Sequence, residues 1–119
     1  MTEQAKKYDE NKPLLLTWPR SFLVIGMVSS LGKAKYGKDT NYLMGDTLGV
    51  QRPLEAAMRH IMQFMSGQTN DNESGLCHLA HAACSILMSL EIFLSRPEKD
   101  DRFYTTEWHY ENCKPTKES

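Results

Sequence analysis

The sequence lacks the features of several common protein classes. Only three cysteines occur in 119 residues, and no two form a C-x-x-C pair, so neither a disulfide scaffold nor a closed structural zinc site is expected. An odd number of thiols indicates a reducing compartment, and we expect a cytoplasmic protein. The longest apolar run, near 22–28, is far shorter than the roughly 20 residues of a membrane span. The charged segment 1–11 does not resemble a signal peptide, so no membrane partner is expected.

An excess of charge of one sign is also lacking. Fourteen basic and 15 acidic residues leave a net charge of −1, which excludes generic binding to nucleic acid or to an anionic membrane surface. The motifs G-x-x-x-x-G-K-[ST], G-x-S-x-G and G-x-G-x-x-G are absent as well, so a phosphate-binding loop, a nucleophilic serine and a dinucleotide-binding fold have no support. A small or specific ligand is therefore favoured.

Helical periodicity is the main structural signal in this sequence. A chain of 119 residues with 40% hydrophobic and 24% charged residues is typical of one small globular domain. Apolar residues recur at helical spacing in three segments. These segments are 19–36, 53–66 and 74–95. We therefore predict an all-α fold, a small helical bundle over 1–97 with an extended leader at 1–18 and an irregular tail at 98–119.

The third predicted helix is apolar on nearly all sides. Ser74 precedes its first apolar residues and is predicted to cap it, and Arg96-Pro97 is predicted to end it. A helix without a polar face is either the buried centre of a bundle or shared with a second subunit. We therefore expect a homo-oligomer.

Candidate metal ligands are concentrated where the second and third predicted helices meet. His78 and His81 are three residues apart, so they lie on one face of a helix. His60 lies on the preceding helix, which a short connector makes an antiparallel neighbour, and Asp71 and Glu73 lie in that connector. Imidazole with carboxylate suits Mn, Zn, Fe or Mg. We predict that His60, His78, His81 and Asp71 bind a divalent metal.

These residues also have an ordinary structural interpretation. Histidines on an apolar helix often pack in a core, and two of them three residues apart occur by chance. Asp71 and Glu73 would be favoured close to a helix N-terminus by the helix dipole. Spacing alone therefore leaves a metal site and packed histidines as alternatives.

Several separated motifs together resemble a known family. They are K-Y-D at 7–9 with K-P at 12–13, G-K-A-K-Y-G at 32–37 with Asn41, A-M-R-H at 57–60, and E-S-G-L-x-H-L-A-H-A at 73–82. In this order, over about residues 6–95, they resemble the N-terminal domain of phage and prophage dATP/dGTP diphosphohydrolase. The resemblance implies an all-α fold related to MazG-like nucleotide pyrophosphohydrolases. Those enzymes use a divalent metal to cleave a nucleoside triphosphate to monophosphate and pyrophosphate.

The resemblance also implies roles for individual residues. Glu73 or Asp71 would orient or deprotonate the attacking water, next to a metal that would be Mg or Mn, with Zn or Fe as alternatives. Six residues would bind the phosphates or the nucleotide: Lys12, Lys33, Lys35, Arg59, Asn41 and Asp9. Gln68 stands where an acidic residue is expected, and the successive E-x-x-E and E-x-x-D motifs of MazG proteins are absent. A non-catalytic nucleotide-binding protein of phage origin and a purely structural oligomer are the alternatives.

Overall fold

Three α-helices account for most of the described chain. The computed structural model describes residues 12–15, 17–36 and 49–103, with the backbone alone for 33–36. The helices are α1 (Pro19–Tyr36), α2 (Gln51–Met65) and α3 (His78–Ser95), followed by a 3-10 turn at Pro97–Lys99. Within these ranges the only strand-like pairing is an isolated antiparallel bridge between Asn70 and Cys77. The all-α prediction is confirmed.

Helix α1 has the bounds that its periodicity predicts. Pro19, which has no N–H to donate, occupies its first turn, and the Phe22 N–H donates to the Trp18 carbonyl at 3.0 Å. The helix packs along α3, where Ser29 Oγ lies 3.6 Å from Cys84 Sγ. Residues 37–48, which follow α1, lie outside the described residues.

Helix α2 begins at Gln51, two residues before the predicted start. The end of the 3-10 turn and the residues after it account for the extra residues. Val50 N–H donates to the Lys99 carbonyl at 3.2 Å, and Gln51 N–H donates to Asp101 Oδ1 at 2.9 Å. These bonds satisfy N–H groups that the start of a helix otherwise leaves without a partner. The predicted irregular tail therefore begins with residues that fix the N-terminus of α2.

Helix α3 begins at His78, four residues later than predicted, and Ser74 does not cap it. The backbone turns between Asp71 and Gly75 because the Asp71 carboxylate accepts the Ser74 N–H at 2.9 Å and Gly75 has a left-handed φ of 74°. Both features favour a turn over a helix. Cys77 occupies the N-cap position, and the helix ends at Ser95, as predicted.

The core lies where α2 and α3 pack as antiparallel neighbours. Its buried side chains are mostly small and lie on these two helices or just before α2: Val50, Ala57, Ala80, Ala82, Ser89 and Ile92. Small residues allow the two helix backbones to approach closely. Ser89 Oγ donates to the Val50 carbonyl at 2.7 Å and ties the middle of α3 to the start of α2.

Much of the apolar surface of α3 is exposed in the single chain. Leucine and isoleucine side chains at helical spacing form a stripe along one side, which we call the α3 stripe: Leu79, Ile86, Leu87, Leu90 and Leu94. Among the described helices, α3 is long and apolar enough to span a membrane by length and composition. Core helices of soluble proteins pass the same test. The helix thus packs against α1 and α2, while the α3 stripe is exposed.

Candidate metal site

Two buried or half-buried histidines meet where α2 approaches its end and α3 begins. The chain reverses after α2, and the His78 N–H donates to the Thr69 carbonyl at 2.9 Å, which anchors the start of α3 against the connector. This arrangement places His60 Nδ1 2.9 Å from His78 Nδ1. The His78 side chain is fully buried, with 0% of its surface exposed.

Asp71 joins the two histidines from the connector. Its backbone is held in both directions, since its N–H donates to the Leu76 carbonyl at 2.8 Å and its carbonyl accepts the Gly75 N–H at 2.8 Å. One carboxylate oxygen, Oδ2, accepts the Ser74 N–H. Ligand atoms of His60, Asp71 and His78 all lie within 4.8 Å of one another. Three of the four predicted metal ligands are therefore brought together.

His81 lies against the same cluster in a different role. Its ring stacks on the His60 ring, with 4.7 Å between the centroids. Its Nε2 lies 2.6 Å from Ser74 Oγ, which also accepts the Leu76 N–H at 3.1 Å. The contacts of His81 are thus with a ring and a hydroxyl, and its predicted metal ligation stays a prediction.

Local electrostatics favour the protonation states that ligate metals. Burial lowers the pKa of His60, the charges of His81, His78 and Arg59 lower it further, and Asp71 opposes them. The backbone N–H of Ser74 is the largest influence that lowers the pKa of the Asp71 carboxyl. Neutral imidazole and ionised carboxylate are the forms that bind a metal ion. Both shifts therefore prepare the site for a cation.

The donor set and its spacing fit a divalent metal. Two nitrogen ligands of one ion, each about 2.1 Å from it, lie roughly 3.0–3.4 Å apart, and the two Nδ1 atoms are separated by 2.9 Å. A small movement of either ring would accommodate the ion. Two imidazoles and one carboxylate suit Mn, Fe or Zn better than Mg, which prefers oxygen ligands.

The remaining predicted site residues are less closely tied to this cluster. Glu73 is exposed in the turn two residues after Asp71. Arg59 is exposed on α2, and its charge acts on His60. Lys12 is exposed in the leader. Four others fall where the structure describes no side chain: Asp9, Lys33, Lys35 and Asn41.

Two polar residues contact the histidines in ways that their sequence positions did not predict. Gln68 Oε1 lies 2.9 Å from His78 Nε2, and Ser74, predicted as a helix cap, contacts His81 instead. The one sequence signal for these contacts is that Gln68 and Ser74 lie in the connector between the two helices that carry the histidines. The polar surroundings of the histidines come almost entirely from the connector.

Comparison with known proteins agrees with the motifs in this region. A family model described as "dATP/dGTP diphosphohydrolase, N-terminal" matches residues 2–102, which include all three helices and the site. The chain belongs to this family. Its motif-based resemblance is thereby confirmed, and the E-S-G-L-x-H-L-A-H-A run lies at the candidate metal site.

A curated relative of this chain comes from a bacteriophage. A protein of Salmonella phage PMBT28 named dATP/dGTP diphosphohydrolase is 35% identical over 97 residues, which is 81% of this chain and 32% of the relative. The chain thus spans about a third of the length of that protein. No solved structure matches the chain significantly.

Proposed function

We propose that this protein is a metal-dependent hydrolase of nucleoside or deoxynucleoside triphosphates that releases monophosphate and pyrophosphate. The observation that carries the proposal is the convergence of ligand atoms from His60, Asp71 and His78 within 4.8 Å. Family membership and the name of the phage relative support a nucleotide triphosphate as the substrate class. The phage relative also supports a phage origin. We propose the host cytoplasm as the site of action.

Four residues near the connector would bind the metal and position the attacking water. A divalent ion bound by His60, His78 and Asp71 would neutralise phosphate charge and polarise the bond to be cleaved. The Ser74 N–H holds one oxygen of Asp71, so the carboxylate keeps a defined orientation. Glu73, exposed two residues further on, is the proposed group that orients or deprotonates the attacking water.

Cations at the rim would meet the phosphate chain. Arg59 is exposed next to His60 and can offer two N–H donors to phosphate oxygens. Lys12 is exposed in the leader, and Lys33, Lys35, Asn41 and Asp9 complete the proposed nucleotide-binding set. These residues would bind substrate rather than react with it.

The experiment that tests the proposal measures metal binding and product identity together. Purified protein is titrated with Mn²⁺ by calorimetry, then incubated with each nucleotide, and pyrophosphate and phosphate are measured separately. We expect pyrophosphate and monophosphate in equal amounts. Turnover should fall more than about 100-fold in His60→Ala, His78→Ala and Asp71→Asn, because loss of a residue that only contacts a metal ligand already lowers activity about 10–100-fold.

Glu91→Gln is the matched control for the loss of a carboxylate, since Glu91 is exposed on α3. Its turnover and metal affinity should equal those of the wild type. If no nucleotide releases pyrophosphate with Mn²⁺, Mg²⁺ or Zn²⁺, the proposed hydrolase activity is contradicted. Nucleotide binding without turnover would instead support the non-catalytic alternative.

A homo-oligomer is part of the proposal. The α3 stripe exposes between 43% and 67% of each of its five side chains. Apolar surface arranged along one side of a helix is typical of a subunit interface. A second copy would cover the α3 stripe, which remains exposed beside α1 and α2.

A further inference from the structure

The turn after α2 fixes the position of Gln68. Gly67 adopts a left-handed φ of 103°, and the Gln68 N–H then donates to the Gln63 carbonyl at 3.1 Å. This is a helix C-terminal turn that glycine makes without steric strain. Gln68 therefore leaves α2 in a defined direction, toward the start of α3.

The next residues of the connector are paired with that start. The Thr69 carbonyl accepts the His78 N–H, and Asn70 forms an antiparallel bridge with Cys77. Because the backbones on both sides are fixed, the Gln68 side chain reaches the His78 ring, with 2.9 Å between Oε1 and Nε2. His78 is fully buried, so this contact is shielded from bulk solvent.

The contact with Gln68 favours one tautomer of His78. An amide oxygen accepts hydrogen bonds and cannot donate them, so the 2.9 Å contact with Gln68 Oε1 fits a His78 ring that is protonated at Nε2. In a neutral ring the other nitrogen, Nδ1, then has a lone pair. That lone pair points at His60 Nδ1, 2.9 Å away, on the side where Asp71 also lies.

We propose that Gln68 is a positioning residue that holds His78 in the Nε2–H tautomer, so that the Nδ1 lone pair faces the point shared with His60 and Asp71. The functional role of this tautomer depends on the metal site of the proposed function. The tautomer itself can be measured in the metal-free protein. The amide at this position serves as a neutral acceptor. A carboxylate there would perform the same task with added charge.

The first test is the ring nitrogen spectrum of metal-free protein labelled with ¹⁵N at pH 8. Nitrogen chemical shifts distinguish a protonated from an unprotonated imidazole nitrogen at each position. We expect His78 with Nε2 protonated and Nδ1 unprotonated. A wild-type spectrum with His78 protonated at Nδ1 overturns the proposal directly, and this result does not require any variant to fold.

The second test uses variants at Gln68 and a control on α2. Gln68→Leu removes the acceptor, so we expect the His78 tautomer to shift toward Nδ1–H and the affinity for Mn²⁺ to fall about 10–100-fold. Gln68→Glu keeps an acceptor and should retain the wild-type tautomer and most of the affinity. Gln63→Leu, an exposed change on α2, should alter neither.

The outcomes separate this inference from the proposed function. If Gln68→Leu keeps the Nε2–H tautomer and the wild-type affinity, Gln68 has no positioning role. If the wild type binds no Mn²⁺ and hydrolyses no nucleotide, the proposed function fails while the nitrogen spectra still decide the tautomer. Loss of affinity in Gln68→Glu equal to that in Gln68→Leu would also overturn the positioning role.

Discussion

The imidazole rings of His60 and His81 lie nearly parallel, with centroids 4.7 Å apart and an angle of 13° between their planes. A proton on His60 would bring a positive charge against this neighbour in a half-buried position. Burial is the largest influence that lowers the pKa of His60, followed by the charges of His81 and His78. The cluster therefore favours neutral His60, which links stability to pH.

Acidification should destabilise the metal-free protein. An unfolded histidine takes up a proton near its usual pKa of 6.5, whereas folded His60, with its lowered pKa, resists protonation. The unfolded state then binds more protons, so the free energy of unfolding falls as the pH drops below 6.5 and levels off below the folded pKa. Chemical denaturation at pH 8 and pH 5.5 measures this difference.

His60→Phe keeps an aromatic ring in the stack and removes the titrating group. We expect this variant to lose less stability between pH 8 and pH 5.5 than the wild type does. Asp71, whose carboxyl pKa is lowered from 3.8, titrates below this window and does not contribute. An equal loss in both proteins would contradict the assignment to His60.

Substitutions at Asp71 should separate its structural role from its metal-binding role. Asp71→Ala removes the acceptor of the Ser74 N–H, and we expect it to lower the free energy of unfolding by about 1 kcal/mol. Asp71→Asn keeps an oxygen acceptor and should cost less than about 0.5 kcal/mol. Both variants should lose Mn²⁺ affinity. Asn72→Ala, at an exposed neighbouring position, should change neither stability nor Mn²⁺ affinity. A wild-type affinity for Mn²⁺ in Asp71→Asn would exclude Asp71 as a ligand.

The buried hydroxyl of Ser89 should contribute measurably to stability. Ser89 donates at 2.7 Å to the Val50 carbonyl, and only 3% of its surface is exposed. Ser89→Ala leaves that buried carbonyl with one partner fewer, so we expect a loss of about 1 kcal/mol in urea denaturation. Ser95→Ala, which removes an exposed bond to Glu91, should change stability by less than about 0.5 kcal/mol. Equal effects would show that burial of the Ser89 bond is unimportant.

A side chain at Gly49 should displace the Asp101 carboxylate, because a methyl group there would overlap it. That carboxylate accepts the Gln51 N–H at the start of α2. We expect Gly49→Ala and Asp101→Ala each to cost about 1 kcal/mol, as the loss of a helix cap does. The double variant should cost less than the sum, because both changes remove the same bond.

Gly26→Ala is the matched control for Gly49→Ala. Gly26 lies inside α1, and among the described residues no atom outside the adjoining helix backbone and its two chain neighbours lies within 4 Å of an added methyl group. Alanine is the better helix former, so this change should raise the free energy of unfolding by up to about 1 kcal/mol. Thermal denaturation of both variants gives the comparison, and destabilisation by Gly26→Ala would contradict the open environment of α1.

A charge in the α3 stripe should dissociate the proposed homo-oligomer. We expect the wild type to sediment as a dimer or larger species and Leu90→Glu to sediment as a monomer, because burial of a carboxylate in an apolar interface is unfavourable. Glu91→Lys changes the charge of an exposed adjacent residue outside the stripe and should leave the sedimentation coefficient unchanged. A monomeric wild type would refute the oligomer.

The sequence alone predicted the existence of the three helices and the family. Apolar periodicity located α1 with its bounds and α2 to within two residues at its start. The spacing of His60, His78 and the carboxylates in the connector predicted that these side chains lie close together, since helix geometry and a short connector limit where they can lie. These are local properties, which neighbouring residues determine.

Only the tertiary structure decided which atoms meet. The start of α3 moved from Ser74 to His78 because Asp71 and Gly75 favour a turn, and that turn brought Ser74 to His81 rather than to a helix end. Gln68 contacts His78, 10 positions further along the chain. Asp101 accepts the N–H of Gln51, which lies 50 positions before it. Periodicity carries no information about such pairs, because they depend on how the helices pack and how the chain turns between them.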